Sequence, residues 1–175
     1  MRFSPLAISG AFLIDFEPIE DERGFFCRTF CREEFLKSGL SSHLEQCSLS
    51  SNPKKGTLRG MHYQEVPFAE VKMVQCIRGA IYDVILDLRP PSKTFRKWIA
   101  VVLSESEKNM LYIPEGVAHG FQTLEDLSEV FYHVSVPHVK EASRGVRWDD
   151  PAFAIHWPLE VTKISDKDQK YEFFL

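Results

Sequence analysis

The chain has 175 residues, a net charge of −4 and an isoelectric point near 5.9. That length suits one domain, residues 1–175, with a substantial core, and is too short for two ordinary ones. A mildly acidic balance with no Lys/Arg block leaves nothing to neutralise a phosphate backbone, so nucleic acid and anionic membrane are not expected as partners.

No apolar run approaches the roughly 20 residues of a membrane span. Residues 1–7 show neither a basic start followed by an apolar stretch nor a cleavage site, which predicts a cytoplasmic location. Cys27, Cys31, Cys47 and Cys76 lack the paired short spacing of a zinc or redox motif, so reduced thiols are expected, with Cys27 and Cys31 buried as small apolar side chains.

In chain order, "CREEFLKSGL" over residues 31–40 predicts one short helix near the N-terminus, stopped by Gly39. From residue 57 onward a period of two dominates, in short runs punctuated by Gly, Pro and Ser, the pattern of an antiparallel all-β domain. The first run is "TLRGMHYQ" over 57–64, followed by "VKMVQCI" over 71–77 before the Arg78-Gly79 turn. The clearest strand, "AIYDVILDL" over 80–88, puts Tyr82, Val84, Leu86 and Leu88 on one face and Ile81, Asp83, Ile85 and Asp87 on the other. "KWIAVVL" over 97–103, "NMLYI" ending before Pro114, "GFQTL" over 120–124 and "EVFYHVSV" ending before Pro137 complete the series. Short strands at 8–12-residue spacing imply a sandwich or barrel, here a jelly roll whose mouth could hold a ligand.

An interior that accepts a small molecule carries polar groups at inward positions. Lys72 alternates with Val74 and Cys76, Asp83 with Ile81 and Ile85, and Tyr132 with Val130, Val134 and Val136. A tyrosine in that setting is most often a core residue with its hydroxyl satisfied. A lysine is harder to explain away, because an unpaired buried ammonium is expensive.

Strict alternation along "TLRGMHYQ" would point Arg59 and His62 to opposite faces. Glycine inside a strand commonly marks a bulge, and one extra residue at Gly60 would turn both side chains into one cavity. His62, Arg59, Lys72, Tyr132 and His119 of "PEGVAHGF" would then supply a base, an acid and several cations. That set suits proton abstraction beside a carbonyl on a substrate with an anionic handle such as a diphosphate. A metal site is the rival chemistry, but "HYQE" lacks the second histidine that metal-binding jelly rolls place after the first, so no metal is expected.

The segments "DERGFF", "GTLRGMHYQ", "KMVQCIRGAIYDVILDLR", "SKTFRKW", "IPEGVAHGFQTL", "GVRWDDPAFAIHWP" and "ISDKD" stand in order along nearly the whole chain. In them the chain resembles the dTDP-4-dehydrorhamnose 3,5-epimerase family, a metal-free branch of the cupin-like jelly rolls. The resemblance implies an all-β, cupin-like jelly-roll barrel that inverts carbon 3, carbon 5 or both of a nucleotide-linked 4-keto-6-deoxyhexose, without cofactor. His62 would be the base, Asp168 its orienting carboxylate, Tyr132 the acid on the opposite face, and Lys72 the cation near the keto oxygen, with Asp83 close by. Arg59, His119, Arg23 and Lys167 would bind the diphosphate and sugar, and Gln46 the nucleotide end. Family members are homodimers that exchange N-terminal strands, so Arg23 would serve the partner's site.

The departures from the family pattern cluster at base recognition. Arg28 replaces a glutamate, Ser48 an asparagine, His138 a tyrosine that stacks on thymine, and Ser143 a glutamate. A glutamate accepts from the ring N–H of thymine, whereas arginine only donates and suits the acceptor edge of cytosine better. A CDP-linked or other non-thymidine substrate is therefore the alternative. A ketoisomerase on the same scaffold and a catalytically silent sugar-nucleotide binding module are the rivals in function, and the retained His62, Asp168 and Tyr132 argue against the silent module.

Overall fold

The structure, a computed structural model, describes residues 1–174. The N-terminal part holds β1 (Arg2–Pro5), β2 (Phe12–Asp15), the hairpin of β3 (Ile19–Asp21) and β4 (Gly24–Phe26), and helix α1 (Arg32–Lys37). Strands β5 (Gln46–Asn52), β6 (Leu58–Gln64), β7 (Lys72–Arg78) and β8 (Ala80–Asp87) follow. Then come β9 (Trp98–Ser104), β10 (Asn109–Ile113), β11 (Val117–Thr123), β12 (Ser128–Val134), β13 (Ser143–Gly145) and helix α2 (Asp166–Gln169).

Two antiparallel sheets face each other, one ordered β1-β2-β10-β7-β12-β5 and the other β13-β6-β11-β8-β9. Between them lies an apolar core drawn from both: Val74, Leu111 and Val130 meet Ile81, Ile85 and Phe121. The period-two reading of β8 holds, with Ile81 and Ile85 in this core. Its other face, with Val84 and Leu86, is also buried, beneath Val146, Phe153 and Trp157 of the C-terminal segment. The six-stranded sheet is covered on its outside by α1, whose Phe35 is fully buried against Ile14, Met73 and Met110.

Helix α1 stops as the sequence predicts. Gly39, at φ +73°, lets Leu40 N–H reach the Phe35 carbonyl at 2.9 Å and its own N–H reach Leu36 at 3.0 Å. Two features differ from the sequence reading. A second helix, the single turn α2, is present beyond the expected one, capped by Ser165, whose Oγ accepts from Asp168 N–H at 3.0 Å. Short N-terminal strands and β5 also form where no apolar alternation marks them. Cys31 stands at the N-cap of α1 with Cys27 before it, so no helix face joins the two, and all four thiols are free. Among the described residues no helix is long and apolar enough to cross a membrane.

Candidate active site

The bulge expected at Gly60 is present. His119 of β11 stands opposite His62, but Phe121 stands opposite Arg59, so β6 spends one residue more than β11 over the same span. Gly60 adopts φ +133°, and a Cβ there would lie 2.4 Å from the Cα of Gly120. Only a pair of glycines lets the two backbones pass this closely. The result is that Arg59 and His62, three residues apart, line the same cavity of about 550 Å³ between the sheets. Lys72 and Tyr132 reach it from the facing sheet, and Ser48 and Lys167 from β5 and α2.

His62 and Asp168 meet across 106 positions of sequence, with Nε2 2.6 Å from Oδ1. Gly60 N–H donates to the other carboxylate oxygen at 3.4 Å. Burial raises the Asp168 carboxyl, but the bonds from His62, Gly60 and Ser165 outweigh it and hold the group below its ordinary range. An ionised acceptor at Nε2 keeps the proton on that nitrogen and the lone pair on Nδ1. Imidazole in that state is a base.

A second pair lies deeper. His119 Nε2 is 2.9 Å from Oδ2 of Asp83, while Asp83 Oδ1 is buried without a partner. Burial dominates there and raises the Asp83 carboxyl above its ordinary range, against the pull of the His119 and Lys72 charges. Tyr132 packs edge-on to His119 at 6.3 Å between centroids. Burial, reinforced by the Asp83 charge, pushes its phenol well up, so it holds its proton throughout the neutral range.

The lysine whose burial looked costly is paired. Lys72 Nζ lies 2.9 Å from Glu70 Oε1 and donates to the His62 carbonyl at 3.2 Å. Arg59 Nε donates to the Oδ1 of fully buried Asn52 at 2.7 Å. Glu70, Asn52 and Lys163, which also lines the cavity, were not anticipated as site residues. Glu70 carries a faint signal, since an acid two positions before a strand lysine falls on the same face. Asn52 and Lys163 carry none.

Five residues singled out from the sequence stay outside this cavity within one chain. Arg23 pairs with Asp21 on the β3–β4 hairpin and is exposed. Arg28 donates to Glu34 Oε1 at 3.1 Å, and the other oxygen of Glu34 takes the N-terminal ammonium. Gln46 and His138 are joined to each other, His138 N–H donating to Gln46 Oε1 at 2.8 Å. Ser143 sits on β13 opposite Gln64. Among the described residues no three His, Cys, Asp or Glu side chains converge in a way that could hold a metal ion.

A jelly roll with acid–base side chains and several cations converging on an interior cavity falls in the class of cupin-like isomerases. A sequence profile for dTDP-4-dehydrorhamnose 3,5-epimerase matches residues 5–175. The chain is 40% identical over 169 residues to the dTDP-4-dehydrorhamnose 3,5-epimerase of Sinorhizobium fredii, covering 96% of this chain and 87% of that one. Its fold superposes on the crystal structure of the same enzyme from Bacillus anthracis, with TDP and PPi bound, at a TM-score of 0.96 and 35% identity, covering 99% of each chain. ChmJ, a 3'-monoepimerase from Streptomyces bikiniensis seen with dTDP-quinovose, superposes at 0.91 with 30% identity, covering 97% of this chain and 86% of that one. The chain belongs to the dTDP-4-dehydrorhamnose 3,5-epimerase family.

Proposed function

We propose that the protein inverts one or both of the carbons flanking the keto group of a dTDP-linked 4-keto-6-deoxyhexose. The observation that carries this is the 2.6 Å His62–Asp168 contact on a cavity that Tyr132 lines from the opposing sheet. His62 takes the proton from the carbon beside the carbonyl, and the electron pair moves onto the keto oxygen as an enolate. The Lys72 ammonium stabilises that oxygen, and Tyr132 returns a proton to the other face of the carbon, which inverts it. Arg59, His119 and Lys167 hold the diphosphate and sugar. The reaction needs no redox partner, and turnover is expected to be unchanged by chelators.

Turnover in deuterated water tests the reading. Label should appear at carbon 3, carbon 5 or both, and the carbons labelled distinguish a double epimerase from a monoepimerase such as ChmJ. A silent binding module gives no label, and carbonyl migration to carbon 3 would identify a ketoisomerase.

The names and bound ligands of the relatives support dTDP as the nucleotide. The CDP alternative rests on Arg28, whose guanidinium is engaged by Glu34 and becomes free to read a base only if that pair opens. Kinetic efficiency on matched dTDP- and CDP-linked sugars, in the native chain and in Arg28→Glu, decides it. A native preference for dTDP that the substitution leaves unaltered removes Arg28 from base recognition.

We further propose that the active form is a homodimer with exchanged N-terminal strands. Ile19, Phe25 and Phe26 are 72%, 57% and 75% exposed on a hairpin that also carries Arg23 away from its own cavity. Mixing inactive Arg23→Ala and His62→Asn chains tests this. Exchange between them leaves one intact site in each mixed dimer and should restore up to about a quarter of native activity. No recovery after confirmed subunit exchange would place Arg23 in its own chain's function.

A further inference from the structure

We propose that Glu70 is the residue that positions Lys72 for the reaction, an inference that rests on the role given to Lys72 above. Glu70 lies two residues before Lys72, and its side chain is 8% exposed. Each carboxylate oxygen has its own donor. Oε1 takes the Lys72 ammonium at 2.9 Å, and Oε2 accepts from Gln64 Nε2 at 3.3 Å. The ammonium has three N–H groups. One is held by Glu70 and another by the carbonyl of His62, so the third is left for the cavity that Lys72 lines. A lysine stem is otherwise free to rotate through many rotamers, and its charge would wander by several ångströms. The two contacts tie the cation to the backbone of the same residue that supplies the base.

A carboxylate complements both of its neighbours at this position. Gln64 cannot turn its amide over, because its Oε1 accepts from Val139 N–H at 2.7 Å while its Nε2 also donates to the carbonyls of Phe68 and Pro137. Its NH₂ must therefore face residue 70. A carboxamide at 70 has one acceptor and one donor end, so it would set a donor against either Gln64 or Lys72. Only an acceptor at both ends satisfies the site.

The test uses Glu70→Gln, Glu70→Asp, Lys72→Met and the double variant Glu70→Gln/Lys72→Met, each in the full-length protein. Binding of TDP, as probe, reports whether each variant keeps its fold and site. Glu70→Gln should bind TDP within about threefold of native while kcat falls by at least about tenfold with little change in KM, the loss expected when a charged hydrogen bond is removed. In the Lys72→Met background the same substitution should have no further effect, because its target is gone. Glu70→Asp, which keeps two acceptors on a shorter stem, should recover part of kcat. Equal losses of kcat in the native and Lys72→Met backgrounds would overturn the proposal, as would a loss confined to TDP binding, which would make Glu70 a brace for its loop. Full turnover by Lys72→Met would instead remove the role of the lysine, and failure at that level is read directly from the single variant.

Discussion

Two histidines that line the same cavity are each paired with a carboxylate, and the two carboxyls are shifted in opposite directions. His62 is 36% exposed and its partner Asp168 5%, whereas His119 and Asp83 are 6% and 0% exposed. Both contacts are short. The carboxylates differ in what else they receive: Asp168 accepts from Gly60 and is set by the Ser165 cap, while the second oxygen of Asp83 has no partner. Hydrogen bonding therefore outweighs burial at Asp168, and burial outweighs its neighbours at Asp83. One carboxyl is kept as an anion, as the proposed base at His62 requires. The other is driven toward its neutral form, beside a deeply buried histidine. Chemically identical pairs are thus given opposite carboxyl shifts by exposure and by the count of donors.

The sharpest way to break this comparison is to remove each histidine in turn. His62→Asn should lower both epimerisation and solvent-deuterium exchange by about 10³-fold or more, since general-base catalysis contributes that order. His119→Asn should chiefly raise KM and leave exchange at saturation measurable. If His119→Asn abolished exchange and His62→Asn did not, the roles would be reversed.

Tyr132→Phe comes next, with an expected loss of inversion of about 10²-fold. Its phenol is held protonated well into alkaline solution, so the proton that the proposed acid step needs is present throughout the neutral range. The variant should still form the enolate through His62, and deuterium should enter from the original face without inversion. Loss of TDP binding with loss of turnover would return Tyr132 to the role of a core residue.

Asp168→Asn is expected to lower kcat by about ten- to a hundredfold, because the amide no longer fixes the imidazole proton on Nε2. The variant also has a stability signature. The Asp168 carboxyl sits below its ordinary value, so its contribution is fully present above the unfolded value near 4 and is lost as pH falls through the folded one. Melting temperatures of native and variant protein should therefore converge below about pH 4. A gap that stayed constant with pH would mean that Asp168 supports the fold through packing alone.

How much of this was legible depends on whether a feature is local. The runs that became β7 to β12 were legible because they are short, apolar and β-branched between turn residues, and the bulge was legible because a glycine stands between Arg59 and His62 inside a strand. Strand β5, "QCSLSSN", carries no period-two signal because Ser48 and Ser50 line the cavity and the strand is a sheet edge. Helix α2 is one turn, too short for periodicity and held by its cap and its contact with β6. The His62–Asp168 pairing spans most of the chain and was reached only through family resemblance. The pairing of Lys72 with Glu70 is local, since "EVK" puts acid and lysine on one strand face, although Glu70 itself precedes the strand and its side-chain direction is set by Gln64.

The smallest expected effect is the most direct test of the buried pair. Asp83 has its carboxyl raised, so the folded chain holds that proton more tightly than the unfolded chain does. The stability this group confers is fully present below the unfolded value near 4 and declines as pH rises through the window up to the folded value. Above that window the fold carries a desolvated anion, only partly offset by His119. Asparagine at this position keeps an acceptor for His119 Nε2, has no proton to lose and brings no charge into the core. Asp83→Asn should therefore be as stable as the native protein or more so at neutral pH, by about 1 kcal/mol, a rise of roughly 2–4 °C in melting temperature for a chain of this size. The advantage should shrink as pH is lowered toward 4, opposite in sign to the trend for Asp168→Asn. A variant destabilised by more than about 1 kcal/mol at neutral pH would show that the attraction between His119 and Asp83 exceeds the penalty of burial. The two pairs would then differ in exposure but not in the balance that exposure was taken to set.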